Sequence, residues 1–184
     1  MYDKFSEFIK DKQHICIIQA ENPDGDSLGS ALALEDALVD KETSLYCPVE
    51  IPKYMRYFEG WSRVDIEFAW TADAFIIVDT TANILLSKLL DDPAIKNCLF
   101  SIPVFVIDHH ETEPDLEFPY ASIIEPMSSC CGLIYKILKD QKIAISKQCA
   151  EDLLYGLQSD TLGLTTASTT AEDFRIAADL LDCG

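Results

Sequence analysis

Positive charge is what this sequence has least of. Its 184 residues carry 14 Lys and Arg against 32 Asp and Glu, a formal net charge of −18 at pH 7. No Lys or Arg occurs in residues 13–40, 64–87, 97–135 or 148–174. Neutralising the phosphates of a long nucleic acid needs such residues, so no long nucleic acid is expected as a partner. An apolar run near the ~18 residues of a membrane span is also missing. The opening segment MYDKFSEFIKDKQ is too polar for a signal peptide. A cytoplasmic protein with no membrane partner is the expectation. Internal repeats, low-complexity stretches and Gly/Ser/Pro-rich linkers are absent, which predicts one domain over residues 1–184. The seven cysteines include no C-x-x-C pair and mostly lie in apolar segments, so they read as buried, reduced thiols. Adjacent Cys130 and Cys131 are too close for an ordinary bridge, and no chemistry is assigned to them.

At 48% hydrophobic and 25% charged, the chain has the composition of a globular protein rather than an acidic disordered tail. Short β-rich runs alternate with helical ones. Strands are predicted over 14–20, 43–48, 73–79, 103–108 and 120–125, and helices over 27–41, 52–60, 83–92, 131–140, 147–160 and 171–183. The runs DAFIIVD and PVFVID are continuously apolar, as strands covered on both faces must be. The order implies an α/β fold with a doubly wound, mainly parallel sheet and helices on both faces. Ligands of such sheets collect at the carboxyl ends of the strands.

Acids mark that edge. The first strand runs into NPDGDS with Asp24 and Asp26, another ends at Asp79, another at Asp108-His109-His110, and a helix ends at Asp160. A single Asp after a strand often caps the next helix. Several converging with two histidines would repel one another and protonate unless a divalent cation neutralised them. Oxygen ligands with one or two imidazoles suit Mn²⁺, Mg²⁺ or Fe²⁺ better than a thiolate-preferring zinc site. Two cations bridged by one carboxylate would make a phosphoester hydrolase centre. A calcium loop is excluded by spacing. With Asn22, Asp24 and Asp26 in the first ligand positions, the following glycine and the twelfth-position glutamate are instead Ser27 and Ala33. Gly25 and Gly29 read as a sharp turn opening a helix N-terminus, near Ser27, toward an anion.

Together NPDGDSLGS, FIIVDTT, VIDHH and SDTLGLTTASTTAEDFRIAADLL resemble the four ordered motifs of the DHH phosphoesterases. That family includes RecJ-type exonucleases, nano-RNA and pAp phosphatases, exopolyphosphatases and manganese-dependent inorganic pyrophosphatases. The resemblance implies two Mn²⁺ or Mg²⁺ ions. Asp24 and a bridging Asp79 would hold one, and Asp26, Asp79, His109 and Asp160 the other. Asp108 would support the histidines, and His110 would face the substrate phosphate. The glycine between the two acids of NPDGDS resembles the nucleotide-cleaving branch. The implied function is two-metal hydrolysis of a phosphodiester or phosphomonoester in a short oligonucleotide or small nucleotide. A non-catalytic metal-binding or interaction module and a manganese-dependent inorganic pyrophosphatase are the alternatives.

Two departures qualify the resemblance. A family histidine four residues before the first motif-one acid is Ala20 here, leaving one metal site short of a ligand. His14 cannot replace it, being about 20 Å away along an extended strand. The smaller substrate-binding domain usual in the family is also not expected in this chain. With Arg175 the only basic residue inside the four motifs, substrate charge would have to be met largely by cations, His110, helix N-termini or another chain, a second copy or a partner. The acidic run Glu111, Glu113, Asp115 and Glu117 reads as a solvated loop.

Overall fold

A computed structural model describes residues 2–183. The alternation read from sequence becomes a six-stranded sheet in which every pairing is parallel. Its strands are β1 (His14–Ile18), β2 (Glu42–Tyr46), β3 (Val64–Asp65), β4 (Ala74–Val78), β5 (Val104–Asp108) and β6 (Ala121–Ile124). Their spatial order is β3-β2-β1-β4-β5-β6. The chain winds outward from β1 in one direction, returns, and winds outward from β4 in the other. The crevice at the carboxyl ends of β1 and β4 is therefore the topological switch point, where ligands of such sheets bind.

Side-chain alternation along the strands sorts the core into two layers. Ile15, Ile17, Ile76, Val78, Phe105 and Ile107 face α1 (Asp3–Ile9), α2 (Gly25–Ala37), α5 (Cys130–Asp140), α6 (Lys147–Asp160) and α7 (Ala171–Cys183). Cys16, Ile18, Phe75, Ile77, Val104 and Val106 face the smaller layer of α3 (Ser87–Leu90) and α4 (Pro93–Ser101).

Several boundaries differ from the sequence expectation. The second helix starts at Gly25 rather than Ser27, because Asp24 takes the N-cap and accepts from the Asp26 and Ser27 N–H groups. The single helix expected over 83–92 is a 3₁₀ turn (Asn83–Leu86) and one turn of α3, after which Asp92 caps a new helix with Pro93 in its first turn. The helix expected over 52–60 is instead two separate 3₁₀ turns, Lys53–Met55 and Trp61–Arg63, divided by Gly60 at φ 89. Helices α1 and α4 and the two-residue β3 had not been assigned from sequence. Among the described residues no helix is long and apolar enough to cross a membrane.

Candidate metal centre

Strand register brings the acids of the motifs level with one another. Ile18 pairs with Ile77 and Val78 with Ile107, so continuing each register sets Ala20 beside Asp79 and Asp79 beside Asp108. Asp79 is 9% exposed and takes φ 64, a left-handed conformation that a residue with a Cβ adopts at some cost. Its N–H still donates to the Ile107 carbonyl at 2.9 Å, so the turn out of the sheet occurs at the residue carrying the carboxylate.

His109 lies at the centre of the acids. Its Nδ1 meets the Met127 carbonyl at 3.0 Å, leaving Nε2 to face inward. That nitrogen is 3.3 Å from Asp79 Oδ1, 3.4 Å from Asp160 Oδ2 and 3.8 Å from Asp26 Oδ2. His109 Nε2 and Asp79 Oδ1 are nevertheless buried without a hydrogen-bond partner. Two groupings are close enough to share a cation: Asp26, His109 and Asp160, and Asp79, His109 and His110.

Asp26 is held by backbone that the sequence could not reveal. It is wholly buried, and its carboxylate accepts from the Cys130 N–H at 2.5 Å and the Cys131 N–H at 2.9 Å, at the start of α5. The positive end of that helix thus faces an acid of the candidate centre. Gly156 on α6 makes the approach feasible, since a Cβ there would fall 2.1 Å from Cys131 Sγ and 3.1 Å from Asp26 Oδ1. Five of the seven cysteines are buried as expected, Cys98 is half-buried and Cys183 exposed, and it is the amides of Cys130 and Cys131 that matter here.

Asp108 is buried and saturated. It accepts from Thr81 Oγ1 at 2.8 Å and from the His109 and His110 N–H groups, and its Oδ1 lies 2.7 Å from His110 Nδ1. His110, with its side chain 46% exposed, is the imidazole of the pair that reaches solvent.

The remaining residues named from sequence stand apart. Asp24 is exposed and belongs to neither grouping; its Oδ1 is committed to the cap of α2. Ser27, expected to meet substrate, is 2% exposed, and its hydroxyl bonds the Asp24 backbone in a capping box. Its side chain is therefore turned into the helix start rather than toward a ligand. Glu21, next to Ala20, accepts from Ser87 and the Lys88 N–H and so cannot supply the missing ligand. The four acids of the 111–117 loop are exposed as expected, with Asp115 bonded to Asn83 and Glu117 paired with Lys96 at 3.0 Å.

Electrostatics shows the strain of this crowding. Burial pushes the Asp160 carboxyl up to about 7, with the charges of Asp26 and Asp24 adding to the effect. Burial raises Asp26 as well, and Asp79 well above the usual carboxylate range, where the neighbouring Asp26 charge acts in the same direction. Burial alone would lower His109, but the carboxylates of Asp79 and Asp26 override it and raise the imidazole to about 10. For Asp108 burial is likewise overcome, and its bonds from His110 and Thr81 hold it below the ordinary value. Without a cation, the three central acids and His109 must share protons. A divalent ion would replace those protons and satisfy the two unpartnered atoms together. The donor set, oxygens with imidazole and no thiolate, fits Mn²⁺ or Mg²⁺.

A doubly wound sheet with carboxylates and paired histidines at its switch point defines a class: α/β proteins built to hold divalent cations at the strand ends. The chain belongs to the DHH family, whose N-terminal domain matches residues 14–157. A probable manganese-dependent inorganic pyrophosphatase of Streptococcus mutans serotype c is 30% identical over 173 residues, covering 90% of this chain and 54% of its own length. The solved structure of an exopolyphosphatase-related protein from Bacteroides fragilis superimposes with a TM-score of 0.88 at 26% identity, covering all of this chain and 56% of that one. A putative family II inorganic pyrophosphatase of Methanococcus jannaschii shares the fold, with a TM-score of 0.69 at 20% identity over 92% of this chain and 56% of that one. The chain thus spans about half the length of the curated relatives it matches.

Proposed function

We propose that this chain is the cation-holding part of a metal-dependent phosphohydrolase. The observation that carries the reading is the buried, unpartnered Nε2 of His109 facing the carboxylates of Asp79, Asp160 and Asp26 at 3.3, 3.4 and 3.8 Å. Those four residues would hold one cation, and Asp24 with Asp79 a second. Bound there, a divalent cation supplies Lewis acidity toward a phosphoryl oxygen and toward water.

The protein's own groups do the rest. Met127 fixes the His109 ring through Nδ1, and the α5 amides fix Asp26, so both stay aimed at the centre. Asp108 engages Nδ1 of His110, leaving Nε2 to meet a substrate oxygen or pass a proton to a leaving group. The substrate is a small phosphate compound, not a long nucleic acid, because the four motifs contain a single basic residue, Arg175.

The finer reading is hydrolysis of a phosphoester in a small nucleotide or short oligonucleotide. A second reading, inorganic pyrophosphate, is favoured by the names of the streptococcal relatives. Mn²⁺-dependent hydrolysis of bis(p-nitrophenyl) phosphate, AMP and pyrophosphate separates the two. Asp79→Ala should abolish whichever activity is found, by more than the ~10–100-fold typical of losing a supporting residue. Tight Mn²⁺ binding without turnover of any of the three would point instead to a non-catalytic metal-binding module.

A further inference from the structure

Beside the acidic centre lies a group of aromatic rings with no part in holding a cation. Phe58 is buried against the turn that carries Asp24 and Asp26, its ring 3.8 Å from where a Cβ on Gly25 would stand. The same Cβ would lie 2.4 Å from Ser159 Oγ, so Phe58 adjoins the residue next to Asp160 as well. Two tyrosines close on Phe58, its sequence neighbour Tyr57 and, from a distant segment, Tyr155. Tyr57 is 4.9 Å from it between ring centroids, Tyr155 on α6 is 5.3 Å away edge-on, and the tyrosines are 6.0 Å apart at 88°. Both stay open to solvent, at 66% for Tyr57 and 40% for Tyr155.

Burying Phe58 accounts for one ring of the three and leaves the exposure of the other two unexplained. Paired exposed aromatics packed on a ring that adjoins an acidic turn are a recognition surface more than a packing solution. Tyr155 precedes Asp160 by five residues on one helix, about 7.5 Å along its axis and about 140° around it. A sugar bridges such a span between a phosphate at the acids and a planar base at the rings. In a chain of net charge −18, stacking on uncharged rings is also a source of affinity that the acidic surface does not oppose.

We infer that Tyr57 and Tyr155 form a stacking subsite for the base of a nucleotide substrate, and so select nucleoside phosphates over inorganic ones. The inference rests on the phosphohydrolase reading, and it assigns the tyrosines a role in specificity rather than in chemistry.

The test compares equilibrium binding of AMP and of ribose 5-phosphate, the same phosphate and sugar without a base, to the Mn²⁺-loaded chain. Stacking predicts that AMP binds tighter by about 5- to 150-fold. Tyr57→Ala and Tyr155→Ala should each bring AMP toward ribose 5-phosphate while leaving the latter unchanged, and Tyr155→Phe should retain the preference. Equal binding of the two ligands by the unsubstituted chain overturns the inference, whether or not the alanine variants fold. So does an alanine variant of unaltered Mn²⁺ content that loses affinity for both ligands alike. If neither ligand binds, the phosphohydrolase reading itself fails and the inference falls with it.

Discussion

The two sides of the acidic centre are built to different standards. On one, the carboxylates of Asp26, Asp79 and Asp160 surround the Nε2 of His109, and two of these four residues, Asp26 and His109, are fixed by backbone partners. On the other, Asp24 is exposed and spends one oxygen on a helix cap, while Ala20 offers nothing from the position level with Asp79. Burial without counter-charge creates the demand for a cation, and only the first side has enough of both. A centre of this kind is expected to hold one ion firmly and a second weakly.

The largest effect should come from the well-built side. With Mn²⁺ at 100 times its dissociation constant, linkage stabilises the fold by about 2.7 kcal/mol, or roughly 5–10 °C for a chain of this size. Asp160→Asn should lose most of that shift in a thermal melt. Without metal at pH 8 the same variant should melt higher than the parent, because a carboxyl raised to about 7 by burial and neighbouring acids is charged there at a net cost that the His109 imidazolium only partly offsets. A variant that keeps the full Mn²⁺ shift would remove Asp160 from the centre.

Ala20→His tests the poorer side. Elemental analysis of protein prepared without chelator should find close to one Mn²⁺ per chain in the parent and close to two in the variant. The same stoichiometry in both would show that position 20 does not face the second ion.

The smallest effect is a control on the same helix. Asp152 is 1% exposed, has one oxygen without a partner, and is pushed by burial up to about 7, yet no histidine or second acid joins it in a candidate cation group among the described residues. Its folded value exceeds the ordinary 3.8, so the native state retains a proton that the unfolded chain releases, and stability falls as pH rises from about 4 to about 7. The full penalty is about 4 kcal/mol at most. Asp152→Asn should recover roughly 1–2 kcal/mol of it at pH 8 and nothing at pH 4, because the new amide also lacks a partner. Mn²⁺ should shift this variant and its parent equally. A shift that differed would tie Asp152 to the centre.

Most of this architecture was legible because a parallel sheet leaves strong marks. Apolar runs such as FIIV and VFVI give the central strands, and the acids that end them point to the carboxyl edge. The elements that were missed have weak local signals. Helix α4 was masked by the apolar residues of 83–90, which suggested one continuous helix although Asp92-Pro93 marks a restart. Strand β3 has two residues and no periodicity to detect. At the centre, side chains of the right type were visible but their hydrogen bonds were not. The hold of Cys130 and Cys131 on Asp26 is made by amides, which every residue but proline possesses, and so leaves no trace in residue identity. Ser27 was misjudged for a related reason, since a serine three residues after a capping aspartate serves the helix equally well from inside. The tyrosine pair joins positions 57 and 155, which only the tertiary fold brings together.

The turn at Asp79 has a consequence for anyone selecting variants of this protein. A glycine would accept φ 64 freely and would also remove a buried carboxylate from among its own kind. Selection for heat resistance in the absence of divalent ions thus rewards erasing the residue on which the proposed chemistry depends. A library sorted on thermal survival alone would return sturdier proteins that have lost their cation, and the fault would go unseen until someone assayed for metal.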